Sequence, residues 1–140
     1  MTNLVSPHGS NELKPLIIED KSESNSIISK STNSKSLELN SSAAANVVML
    51  GAGYFTPLNG FMDREDVLNV ARNMQTKDGI FWPIPIVNLS TSKPSEFTKG
   101  EEIILLDPNY PDKRPIAIQK VTSIDNLSSD DLMTIAENVF

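Results

Sequence analysis

The run Ile103-Ile104-Leu105-Leu106 constrains this chain's fold more than any other feature of its sequence. Successive side chains of a strand point to opposite faces, so consecutive apolar residues oblige the strand to be covered on both sides. The spacing predicts a strand over Glu101 to Asp107, then a turn through Asp107-Pro108-Asn109-Tyr110-Pro111-Asp112. A partner strand over Pro115 to Val121 completes a hairpin. Ile84, Ile86, Val87 and Leu89 predict another strand, beginning beyond Pro83.

The first half carries the covering helices. Leu37 and Leu39 alternate with polar neighbours as a short strand, and Asn40 or Ser41 is placed to cap a helix over Ser42 to Leu50 that ends at Gly51. Val47, Val48, Met49 and Leu50 are expected in the core. Asp63 should cap a second helix, Arg64 to Met74, with Val67, Leu68, Ala71 and Met74 as its buried stripe and Lys77-Asp78-Gly79 as the turn that follows. A last helix starts near Ser128 or Ser129, with Asp130 and Asp131 at its positive dipole end and Leu132, Ile135, Ala136 and Val139 on one face. That apolar face runs to Phe140 without a cap, which suggests a cut rather than an ending. Asp20 to Ser42 is rich in Ser, Asn, Thr and Lys and reads as a polar surface stretch or flexible linker. The order is helix-rich, then strand-rich, then a terminal helix, which is α+β.

Composition limits the chemistry. The 140 residues contain no cysteine, which removes thiolate catalysis, disulfides and cysteine-based metal sites. A domain of this length buries roughly two thirds of its extended-chain surface and needs no such staple. One histidine, His8, leaves no room for a His-His metal pair. The net charge of -6 opposes binding that works by neutralising many phosphates of a nucleic acid. There is neither an eighteen-residue apolar segment nor a signal peptide near the start, so no membrane role and a cytoplasmic address are expected.

Few residues invite a catalytic reading. Gly51-Ala52-Gly53 is not a nucleotide loop, because the lysine-bearing phosphate motif is absent, position 56 is Thr rather than Gly, and the glycines follow a helix instead of a strand. His8 has no Ser, Asp or Glu spaced as a triad and reads as a turn histidine bonded to the fold. The pairs Glu65-Asp66, Glu101-Glu102 and Asp130-Asp131 have ordinary places at helix starts and a strand edge. Phe81-Trp82-Pro83-Ile84-Pro85 offers a stacking surface, but the nearest cations in sequence are Lys77 and Lys93, so a core or interface role is expected.

Between these elements, Gly53-Tyr54-Phe55-Thr56-Pro57-Leu58-Asn59-Gly60-Phe61-Met62 is too broken for regular structure and too apolar for a solvated loop. It closely resembles the G-x-[FY]-[ST]-P-L-x-G-F-[ML] segment of sulfate adenylyltransferases, the ATP sulfurylases. Leu4-Val5, Pro7-His8-Gly9 and Glu12-Leu13 resemble that family's opening, with Ser10 and Asn11 departing from its second glycine. Trp82-Pro83-Ile84-Pro85-Ile86, Gly100-Glu101 and Pro115-Ile116-Ala117 follow in the same order, so the resemblance runs from Leu4 to Phe140.

The resemblance implies a PUA-like N-terminal domain over residues 1–140 with a small mixed β-barrel and flanking helices. The family converts ATP and sulfate to adenosine 5'-phosphosulfate and pyrophosphate with magnesium. Sulfate is a poor dianionic nucleophile that must reach an anionic phosphate, so such a site concentrates positive charge. The family's Q-x-R-N-x-x-H-x-x-H and G-R-D-H-A-G-like segments supply it, and this chain has neither; Gln75 and Gln119 are not followed by x-R-N. No catalytic, substrate-binding, cofactor-binding or metal residue is therefore assigned. ATP and magnesium belong to the complete enzyme, whose missing catalytic domain is the expected partner, with a homo-oligomeric parent. A stand-alone PUA-like RNA-binding or assembly module is the alternative, opposed by the acidic balance.

Overall fold

In the computed structural model, residues 5–90 and 96–139 are described. They form α1 (Lys21–Ser31), β1 (Ser36–Glu38), α2 (Ser41–Gly51), α3 (Arg64–Asn73), β2 (Glu102–Leu106), β3 (Pro115–Lys120) and α4 (Ser129–Val139). Leu4, Lys93 and Phe140 lie outside the described residues.

The apolar run is the middle of the sheet. β2 pairs parallel with β1, Leu37 facing Leu105, and antiparallel with β3, Ile104 facing Ile118. Ile103, Ile104 and Leu105 are all buried. The sheet is mixed and three-stranded in the order β1-β2-β3. It is not closed into a barrel, which corrects the expected architecture: β1 and β3 remain edges among the described residues. The strand expected over Ile84 to Leu89 does not form. Pro83 and Pro85 have no N–H to give a ladder. The segment instead contributes the Ile86 carbonyl to Met62 N–H at 2.8 Å, and Phe81 bridges Gln75 alone.

Two apolar clusters lie on either side of Phe61. The first packs Leu39, Ala43 and Ala44 onto Ile103, Leu105 and Val121. The second gathers Leu50, Met62, Val67, Val70, Trp82 and Ile86. Phe61 packs against both. Small residues at Ala43 and Ala44 let the start of α2 approach the sheet, and Asn40 caps it by accepting from Ala43 N–H at 2.8 Å. Only Leu50 of the expected quartet is buried; Val47 is half-buried, and Val48 and Met49 face solvent. Gly51 is the last helical residue rather than the cap, and Ala52 follows it in a right-handed conformation.

Asp63 caps α3 as expected, accepting from Asp66 N–H at 2.9 Å, and Val67, Leu68, Val70 and Ala71 are buried. Met74 is not on that stripe. It takes the left-handed conformation that ends the helix and is exposed. Within 20–42, Leu39 is buried in the first cluster, and Asp20 accepts from Glu23 N–H at 2.7 Å and starts α1. A capped helix with an acid in its first turn and Lys30 in its last explains how so polar a segment orders.

In α4 the face expected to be buried is largely outside, with Leu132 and Ala136 exposed and Ile135 packed on the second cluster. Asp131 is the buried residue of this helix. Its carboxylate takes a bidentate grip from Arg64, 2.9 Å to Nε and 2.7 Å to Nη2, and also accepts from Ser128 N–H. Arg64, followed by the Ser128 donors, holds the Asp131 pKa down to about 2.

Two outcomes are expected. Leu105→Ala should cost about 3 kcal/mol in urea unfolding, as core truncations do, while Val48→Ala should stay within about 0.5 kcal/mol. For Asp131 the folded-state pKa lies below its ordinary value of 3.8, so its stabilisation is complete above that value and fades as pH falls through about 2. The gap in urea midpoint between the wild type and Asp131→Asn should therefore narrow between neutral pH and about pH 2. A gap independent of pH would show that the ionised carboxylate is not what holds α4 on α3.

Candidate interdomain face

The loop that follows α2 keeps the Thr56 side chain inside and Tyr54 outside. Gly53 adopts φ +80°, and a Cβ there would lie 3.1 Å from the Pro15 nitrogen, so both conformation and space require glycine. Thr56 is buried; its hydroxyl donates to the Gly53 carbonyl at 2.7 Å and accepts from Lys14 N–H at 3.0 Å. Leu16 N–H donates to the Gly51 carbonyl at 3.0 Å. The N-terminal arm is thereby sewn to the loop through Thr56 and Gly51. Phe55 stands edge-on to Trp82, with centroids 5.9 Å apart. Tyr54 projects into solvent, 73% exposed.

His8 joins this arm to the other aromatic segment. Its Nε2 donates to the Phe81 carbonyl at 2.7 Å, and its ring lies edge-on to Phe81 and tilted against Trp82. A proton held toward a carbonyl acceptor fixes the tautomer and uses the ring as a brace. Gly9, at φ +65°, passes close to Pro57 and Ile80. The aromatic pair divides its work: Trp82 is buried in the second cluster, while Phe81 and Ile84 are exposed. Tyr54, Phe81 and Ile84 are thus outward apolar groups on segments that the arm from His8 to Leu16 holds together.

None of the carboxylate pairs converges. Asp66 accepts from Lys77 N–H, Glu101 meets Lys35 at 2.9 Å, and Asp131 meets Arg64. Their neighbours Glu65, Glu102 and Asp130 face solvent. Burial pushes the Asp63 carboxyl up, but the Asp66 N–H and the Lys77 ammonium outweigh it and hold the pKa below its ordinary value. Lys77 is therefore engaged by Asp63 at 2.7 Å rather than available beside Phe81. Among the described residues no group of three or more His, Cys, Asp or Glu could hold a metal ion, and no helix is long and apolar enough to cross a membrane.

No burial is expected from sequence for Asn88 or for Gln119, set aside above only as a motif residue, yet their side-chain oxygens Oδ1 and Oε1 are buried without a donor among the described residues. A polar residue inside an apolar stretch was the available signal for both.

The chain is 41% identical over 140 residues to the sulfate adenylyltransferase of Alcanivorax borkumensis, covering all of this chain and 35% of that protein. It is 35% identical over 137 residues to that of Allochromatium vinosum, covering 98% of this chain and 34% of that one. The chain spans about a third of the length of these relatives. Among solved structures, the hexameric APS kinase from Thiobacillus denitrificans matches with a TM-score of 0.65 and 29% identity, over 82% of this chain and 22% of that one. The PUA-like domain family matches residues 5–140, and the chain belongs to that family.

Proposed function

We propose that residues 1–140 are the N-terminal PUA-like domain of a sulfate adenylyltransferase and serve it as a scaffold. The observation that carries this reading is similarity along the whole chain to enzymes of which it makes up about a third. The fold agrees with it. Motif residues that look chemical, His8 and Thr56, are used to brace the arm, and the acidic side chains are paired or solvated. The complete enzyme would join ATP and sulfate into adenosine 5'-phosphosulfate and release pyrophosphate. That chemistry needs clustered cations around two anionic reactants. Here Lys35, Arg64, Lys77, Lys113 and Arg114 are each committed to an acid. Among the described residues no three His, Asp or Glu side chains gather as magnesium ligands, and ATP and magnesium would be held by the rest of the longer protein.

The scaffold role gives the outward side chains a use. Tyr54, Phe81 and Ile84 would pack on the catalytic domain or on another subunit, and the hexameric relative supports an oligomeric parent. The enzyme would work in the cytoplasm, beside its ATP supply.

The 140-residue chain should show no sulfate-dependent exchange between ATP and pyrophosphate above a blank; measurable exchange would overturn the scaffold reading. The isolated chain should also bind an apolar-surface dye and self-associate in sedimentation. Replacing Tyr54 and Phe81 together by Ser should reduce both without lowering the unfolding temperature. Unchanged association in that variant would place the sticky surface elsewhere.

A further inference from the structure

The motif loop contains the chain's only Asn-Gly pair, Asn59-Gly60. The loop is fastened on either side of it: Leu58 N–H donates to the Phe55 carbonyl at 2.7 Å, and Met62 N–H donates to the Ile86 carbonyl at 2.8 Å. The pair between those bonds is loose. Asn59 is exposed, and among the described residues neither its side-chain amide nor the Gly60 N–H has a hydrogen-bond partner. A Cβ added at Gly60 would have nothing within 4 Å, so the space around this peptide is open. The corresponding acidic pair, Asp78-Gly79, is held differently. There Gly79 N–H donates to the Thr76 carbonyl at 2.9 Å and closes the turn. A backbone nitrogen committed to a carbonyl reacts only after that bond opens, and Gly60 meets no such cost.

An asparagine side chain and the next backbone nitrogen are joined by the chain itself, so attack of one on the other is intramolecular and gains from proximity. A glycine at the attacking nitrogen leaves the backbone free to turn into the reactive conformation. We propose that Asn59 is a modification site, where the amide is lost through a succinimide and replaced by aspartate and isoaspartate. Hydroxide takes the Gly60 N–H proton, and the nitrogen forms a bond to Asn59 Cγ. The Cγ–Nδ2 bond breaks, Nδ2 takes a proton from water, and ammonia leaves. Water then opens the ring at either carbonyl. Cleavage of the new N–Cγ bond gives aspartate, and cleavage of the original peptide bond gives isoaspartate. One water is consumed and one ammonia released, with no oxidant or cofactor. Each product makes the chain one charge more negative than its -6. Isoaspartate also routes the main chain through Cβ and Cγ just before Phe61, which packs against both apolar clusters.

The folded 140-residue chain, held at neutral and at mildly alkaline pH, should release ammonia, and peptide mass mapping should place the new carboxylate at Asn59 before any other asparagine. The rate should rise with pH, because the attacking nitrogen must first lose its proton. Gly60→Ala adds a Cβ in open space and should slow the loss several-fold, while Asn59→Gln, which would have to close a larger ring, should abolish it at this position. The chain unfolded in guanidinium chloride is the reference. Folding should leave the rate at Asn59 within a few-fold of that reference, whereas isoaspartate at Asp78 should form much more slowly in the folded chain. Survival of Asn59 in the folded chain alone would overturn the proposal. Earlier conversion at another asparagine, or an unchanged rate in Gly60→Ala, would overturn it as well.

Discussion

The close passage of the N-terminal arm over Gly53 is the constraint on which the outer part of this structure depends. A side chain at that position would lie 3.1 Å from the Pro15 nitrogen, tighter than ordinary van der Waals contact, and its backbone is left-handed besides. With glycine there, the Thr56 hydroxyl can reach both the Gly53 carbonyl and Lys14 N–H. A buried hydroxyl that both donates and accepts leaves little of its desolvation cost uncompensated. The arm then runs past the end of α2, and His8 reaches the Phe81 carbonyl. Segments far apart in sequence are joined through a few polar contacts, from the buried Thr56 hydroxyl to the exposed bond between His8 and Phe81.

Beneath that surface the apolar clusters divide the labour. One holds α2 on the sheet, the other holds the loop and α3 around Trp82, and Phe61 belongs to both. The motif loop thus ends beside the residue that couples the two. The Arg64–Asp131 pair adds α4 to α3 where apolar contact is thin, with Ile135 as the helix's contribution to the second cluster. A charged pair specifies the helix position more narrowly than a few exposed aliphatics would.

The central strands were legible because the apolar run is a local signal: Ile103, Ile104 and Leu105 are buried in the middle of the sheet, and β2 pairs with 115–120 as the spacing required. The Asp63 cap was legible for the same reason. The missing strand at 84–89 shows where the rule stops, since alternation reports which side chains are apolar, whereas a ladder also needs N–H groups that Pro83 and Pro85 lack. The helix α1 was hidden because Ser and Asn suit turns as well as caps, and only Asp20 meeting Glu23 N–H decides between them. At the candidate face, His8 could be read as a bracing residue from its isolation. Which of Phe81 and Trp82 turns inward could not, because adjacent residues divide according to what packs beneath them. Arg64 and Asp131 are distant in sequence, and no spacing rule announces their pairing.

Whether the motif loop is a structural knot can be tested directly by comparing its two nearby glycines in urea unfolding. Gly51 is helical, and a Cβ added there would have nothing within 4 Å, whereas Gly53 is left-handed and crowded by Pro15. Gly51→Ala should leave stability unchanged or raise it by up to about 1 kcal/mol, the usual gain of alanine over glycine in a helix. Gly53→Ala should lower it by at least about 1–2 kcal/mol, from the left-handed conformation alone. Equal effects at the two positions would contradict the account.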